Sequence, residues 1–86
     1  MNSTMLAIPT IHMNGTPKDR LLEDICDAID ALHDAGRKMA AACPNGRDYY
    51  PQGAEAIQIA VRQHEARMNK LRELIRELET IAQGIE

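Results

Sequence analysis

Residues 16–43 read TPKDRLLEDICDAIDALHDAGRKMAAAC, and their apolar spacing decides the fold. Leu22, Ile25, Ile29, Leu32, Gly36, Met39 and Cys43 recur at alternating steps of three and four. That is a heptad seam with one position that carries no side chain. Thr16 is a good N-cap, Pro17 suits the first helical position, and Asp19 falls in the first turn. Thr-x-x-Asp is close to a capping box, so the helix should open at about residue 17. Pro44 should end it at about residue 43.

Residues 54–83, AEAIQIAVRQHEARMNKLRELIRELETIAQ, repeat the pattern. Their seam is Ile57, Val61, His64, Met68, Leu71, Ile75, Leu78 and Ala82, and it runs on to Ile85. Two heptad helices joined by one loop predict an antiparallel hairpin, each helix about 40–45 Å long at 1.5 Å per residue. Counting back from the loop puts His64 near Leu32 and His33. There it is a buried acid–base group, a polar register pin, or simply a histidine bonded across the interface. Leu21, Ala28, Ala35 and Ala42 flank the first seam; Ala60, Arg67, Leu74 and Ile81 flank the second. At the end away from the loop, Leu21, Leu22, Ile25, Leu74, Ile81 and Ile85 widen the apolar stripe beyond what one partner helix covers. A lone hairpin would leave that stripe in water. The expected fold is therefore all-α: an antiparallel two-helix hairpin associating into a helical-bundle homo-oligomer.

Upstream, residues 1–15, MNSTMLAIPTIHMNG, form an N-terminal arm. Pro9 pushes Ile8 into an extended conformation. Ile8, Thr10 and Ile11 suit a strand or an extended path over a partner, and Asn14-Gly15 marks a turn. The chain thus divides into an arm, 1–15, and a hairpin, 16–86, with the loop at 44–53.

Composition agrees with helices rather than a globular sheet protein. The 86 residues, 9.6 kDa, allow one small domain, and aromatics are limited to two Tyr. Of the apolar side chains 12 are Ala, so any core is thin. The net charge is −3, and the acidic excess is spread over both halves. A nucleic-acid binder of this size usually shows a basic excess, so the charge argues against that partner. No apolar run is long enough to span a membrane. Met1 to Thr10 lacks the charged start and apolar core of a secretory signal. Cys26 and Cys43 lie on one expected helix, roughly 25 Å apart and beyond disulfide reach. The cytoplasm is the expected compartment.

Chemistry concentrates in the loop, Pro44-Asn45-Gly46-Arg47-Asp48-Tyr49-Tyr50-Pro51-Gln52-Gly53. Joining two antiparallel helices takes only about 2–5 residues; this loop spends ten and holds both tyrosines. Arg47 can pair with phosphate or carboxylate in fork geometry. Tyr49 or Tyr50 can stack on a planar ring, and Asn45 and Gln52 can read the edge of a heterocycle. With Asp48, these groups suit a nucleotide-like ligand. Two plainer readings stand beside this one. Arg47 and Asp48 pair with each other or cap helices while Tyr50 plugs the end of the bundle; or the loop is a contact for a partner protein. At the other end, Asn14 and Thr16 sit where free N–H groups at the start of the first helix favour anions. Joining them to the loop in one site requires two antiparallel chains, or an arm that folds back.

Elsewhere the sequence is plain. Glu23, Asp27, Asp30 and Asp34 form an acidic stripe, read as a solvated face or one set against Arg62, Arg67, Lys70, Arg72 or Arg76 of a neighbouring helix. His12, His33 and His64 share no ligand spacing and the two Cys form no CxxC, so no metal site is expected. Nucleophile, phosphate-loop and zinc-protease motifs are absent, so no catalytic residue can be named, no cofactor is called for, and the expectation is a non-enzyme.

Two segments carry a resemblance: Ile8-Pro9-Thr10-Ile11-His12-Met13-Asn14-Gly15-Thr16 and the loop Pro44–Gly53. The pairing resembles small phage and prophage proteins that share an IPTIHxNGT arm and a GRDYYPQG loop between two helices. It covers most of the chain and implies a phage accessory protein without assigning chemistry. In architecture the design is similar to phage nucleotide sponges, small helical oligomers that counter CBASS or Thoeris defence. Those proteins sequester cyclic-nucleotide signals in pockets at subunit junctions. The resemblance implies a cyclic nucleotide or ADP-ribose-type ligand. The competing expectations are a protein–protein inhibitor of a host defence enzyme, comparable to an anti-CRISPR, and a structural or assembly protein of the phage.

Overall fold

The chain enters its first helix through Pro17, not Thr16. In the computed structural model, which describes residues 5–86, α1 runs Lys18–Ala41 and α2 runs Ala56–Gly84. Pro17 is extended, with φ −61° and ψ 149°, and holds the cap position without a side-chain hydrogen bond. Its carbonyl accepts the Leu21 N–H at 3.1 Å. The expected capping box of Thr16 and Asp19 does not form, because the extended proline moves Thr16 one residue out of reach of the free N–H groups. Asp19 stays in the first turn, where the helix dipole favours it. The far end of α1 loosens ahead of Pro44: the Ala42 N–H is shared between the Lys38 and Met39 carbonyls, at 3.2 and 3.0 Å.

The register follows from a residue with no side chain. A Cβ on Gly36 would stand 3.2 Å from Leu71 Cδ2, so the helices approach closely where Leu71 fills the missing side chain's place. Around that point Leu32 and His33 share a groove with Met68, Leu71 and Ile75. His64 is not their neighbour, as equal counting from the loop had implied; it lies half-buried two turns nearer the loop. The cause is the loop's path. It runs beside the start of α2, with Tyr49 against Ala56, Ala60 and Gln63, and the two helices are staggered.

Residues 1–4 of the expected arm lie outside the described residues. From Met5 onward the arm makes no strand; it crosses the C-terminal end of its own α2. Ile8 to Ile11 line a hollow of about 360 Å³ with Gly84 and Glu86. Gly84 gives room there to the Ile8 side chain, whose end would have to move aside for a Cβ. The Asn14-Gly15 turn is present, closed by the Gly15 N–H donating to the His12 carbonyl at 3.1 Å.

Only Ala60, Ile75 and Ile85 are buried among the described residues; the other seam side chains are partly covered, and Cys43 is exposed. The molecule measures 61 × 28 × 16 Å. A thickness of 16 Å is little more than one helix with its side chains, so no second layer covers the seam. The accessible surface is 6820 Å², against about 5100 Å² for a compact monomer of this mass. Among the described residues the ion pairs are Arg20–Asp24, Arg37–Asp34 and Lys38–Asp34, all within α1 and exposed. They hold no helix to another and add little stability. Ile75, 8% exposed, is the largest side chain in the middle of the seam that the hairpin buries. Ile75→Ala should therefore cost about 2–3 kcal/mol, the low end for a core isoleucine, since half-covered neighbours can close in. Urea denaturation followed by circular dichroism measures it.

Candidate functional site

The loop is built as two single 3-10 turns, Gly46–Asp48 and Tyr50–Gln52. Asn45 starts the first. Its Oδ1 accepts the Arg47 N–H at 3.0 Å, and its Nδ2 donates to Asp48 Oδ2 at 3.1 Å. The Asp48 N–H also donates to the Asn45 carbonyl at 3.2 Å. Asn45 and Asp48, both read from sequence as ligand groups, thus spend part of their hydrogen-bonding capacity on each other. The Gln52 N–H closes the second turn on the Tyr49 carbonyl at 2.9 Å. Gly53 then turns the chain into α2 with φ 115°, the only positive φ among the described residues and one that an L side chain avoids.

This backbone sorts the side chains into two groups. Tyr49 is half-buried, folded back over Ala60 with Gln52 beside it, around a hollow of about 200 Å³. Tyr50 points away and is 77% exposed. The tyrosine that closes the structure is therefore Tyr49, and Tyr50 does not plug the bundle. The reason lies in α2, whose Ala56 and Ala60 leave a shallow surface that accepts the first ring and has no room for the second. Arg47 is exposed and makes no side-chain hydrogen bond or ion pair among the described residues; the pairing with Asp48 considered from sequence does not occur. Arg47 and Tyr50 thus project free from a loop whose backbone is fixed.

Asn14 and Thr16 are exposed and lie near the start of α1, away from the loop. The arm does not carry them back to it, so one chain does not bring the two halves of the site together. Among the described residues no three His, Cys, Asp or Glu side chains gather as a metal site would need. Cys26 and Cys43 are both free and exposed. No helix is long and apolar enough to cross a membrane.

Sequence reasoning missed the groove between the helices near Gly36. Its signal was present: Gly36 and Ala40, small residues a turn apart on one flank of α1, opposite three arginines of which two are on α2. Asn45→Ala should destabilise the chain by about 1 kcal/mol, the usual cost of losing such a cap, and free the Asp48 carboxylate. Thermal unfolding of the variant beside wild type reads the loss. No family model, no curated protein and no solved structure matches this chain.

Proposed function

We propose that the chain is a non-enzymatic, phage-type accessory protein that sequesters a small anionic, nucleotide-like ligand at the junctions of a homo-oligomer. The observation that carries this reading is the pair Arg47 and Tyr50. A guanidinium without a partner among the described residues and a phenol 77% exposed both project from a loop that Asn45, Asp48 and Gly53 hold in place. A fixed backbone with free functional side chains loses little entropy when a ligand arrives. Arg47 would hold a phosphate in fork geometry, Tyr50 would stack on a base, and Gln52 would contact its edge.

Arg47 and Tyr50 are exposed and stand outside the hollow at Tyr49, so the walls that enclose a ligand against them would come from another subunit. Support for such a subunit comes from the exposed surface. The excess over a compact monomer is about 1700 Å² per chain, or about 3400 Å² for a pair, within the range that obligate homodimer interfaces bury. Leu74, 45% exposed, and half-covered Leu21 and Ile81 lie on the flank where a second hairpin would dock. In that assembly Asn14 and Thr16 of a neighbouring chain would complete the site.

A second reading is a protein–protein inhibitor. It is favoured by Glu23, Asp27 and Asp30 on the outer face of α1, none of which has an ion-pair partner among the described residues. Native mass spectrometry with a cyclic-nucleotide and ADP-ribose panel separates the two. The expected result is an oligomer that gains ligand mass in a fixed ratio, with affinity falling about ten-fold or more in Arg47→Ala and in Tyr50→Ala. An oligomer that gains no mass, or variants that bind as wild type, would defeat the nucleotide reading. Leu74→Ala should weaken the assembly while Asp27→Ala leaves it intact, as sedimentation would show.

A further inference from the structure

Between the helices, near Gly36, lies an open groove of about 480 Å³. Its floor is aliphatic: Leu32, Met68, Leu71 and Ile75. Its rim is cationic: Arg37, Arg72 and Arg76. Three of the ten Lys and Arg side chains of a net acidic protein thus converge on one apolar surface. We propose that this groove is a binding site for a single-chain amphipathic anion, an aliphatic tail bearing a carboxylate or phosphate head.

The groove exists because Gly36 and Ala40 leave one flank of α1 without bulk, so that Leu71 and its neighbours are open from the side. The rim is available. Arg37 gives one nitrogen to Asp34 at 3.1 Å, and Arg72 gives one to Asn69 at 2.8 Å. A guanidinium has five N–H donors, so both retain most of their capacity. The Arg76 guanidinium has no partner among the described residues. Glu79, the one acid in the lining, stands at the end of the groove and would turn an anionic head towards Arg72 and Arg37. From Met68 to Ile75 the aliphatic floor runs about 10 Å along α2, room for most of a medium-length extended alkyl chain.

The lining contains no Phe, Tyr or Trp to stack on a base and no Asn or Gln to read its edge; its one ring is the exposed imidazole of His33. That distinguishes it from the loop and selects an aliphatic body. The flank is also distinct from the one assigned to a second hairpin. In heptad terms His33 and Ala40 lie on one side of the seam, and Leu21, Ala28 and Ala35 on the other. The groove therefore stays open when hairpins associate through Leu21, Leu74 and Ile81, and the proposal does not depend on the loop reading.

The test is titration calorimetry on the full chain with decanoate and decyl phosphate below their micelle concentrations. Decyl maltoside serves as the neutral tail and inorganic phosphate as the bare head. Saturable binding of the two anions is expected, with much weaker binding of the neutral tail or the bare head. Replacing Arg72 and Arg76 together by Gln should reduce affinity about ten-fold or more. Ala40→Leu, which fills the groove and leaves the rim intact, should reduce it as well, with helicity and melting temperature kept in each variant. Arg67→Gln, outside the groove, should bind as wild type. The proposal is overturned if neither anion binds saturably, if decyl maltoside binds as well as decanoate, or if the arginine variant is unaffected. Retention on phosphatidylglycerol vesicles without binding of the free anions would also overturn it, and would assign the rim to a membrane surface.

Discussion

The contact of Gly36 with Leu71 is the constraint on which the hairpin depends. A Cβ at position 36 would stand 3.2 Å from Leu71 Cδ2, so the glycine allows the close approach, and a side chain there would require Leu71 to shift by a few tenths of an ångström. Around that contact the helices are staggered, the loop lies beside the start of α2, and the arm covers the other end of α2 at Gly84. The cost is volume. Where one helix contributes Gly and Ala, the seam buries little, and one hairpin encloses only three side chains among the described residues.

The two helices, their seams and the loop between them were legible in the sequence because heptad spacing is a backbone property, independent of what covers the helix. Helix ends were less so. Thr16 and Pro17 both favour a helix start, and spacing alone does not say which takes the cap. His64 was placed two turns off because stagger depends on the loop's path, and the loop's path depends on which tyrosine lies down. Tyr49 and Tyr50 are the same residue side by side, and no local rule separates them. Ala56 and Ala60, a turn apart on α2, decide the matter through tertiary contact. Loop residues could be singled out, but not the division of labour among them: Asn45 and Asp48 build, Tyr49 packs, Arg47 and Tyr50 remain free.

The arm shows the same dependence on the far end of the chain. Residues Ile8 to Ile11 have the extended, β-branched character of a strand, yet no strand partner stands near them among the described residues. What they meet is the end of α2, where Gly84 lets Ile8 approach and where Ile85, next along, is buried. A sequence pattern that suits an extended conformation leaves the covering surface open: another chain, a sheet edge, or the helix end of the same chain. Gly84 is the residue that admits the last of these.

A scaffold this thin bears on function through its division of surfaces. One flank of the seam is apolar and half-exposed, with Leu21, Leu74 and Ile81; the other is small and basic, with His33, Ala40 and Arg72. The first lowers its free energy by meeting another hairpin, since about 25 cal/mol accompanies each Å² of apolar surface removed from water. The second gains nothing from a like partner, because guanidinium groups would face guanidinium groups across a two-fold axis. An assembly that closes through the apolar flank therefore turns the basic flank outward, to water and to anions. The loop, fixed by Asn45 and Gly53 rather than by burial, is free to sit at the edge of such an assembly without losing its shape. In the proposed assembly, self-association and binding of the amphipathic anion would use different faces of the same two helices.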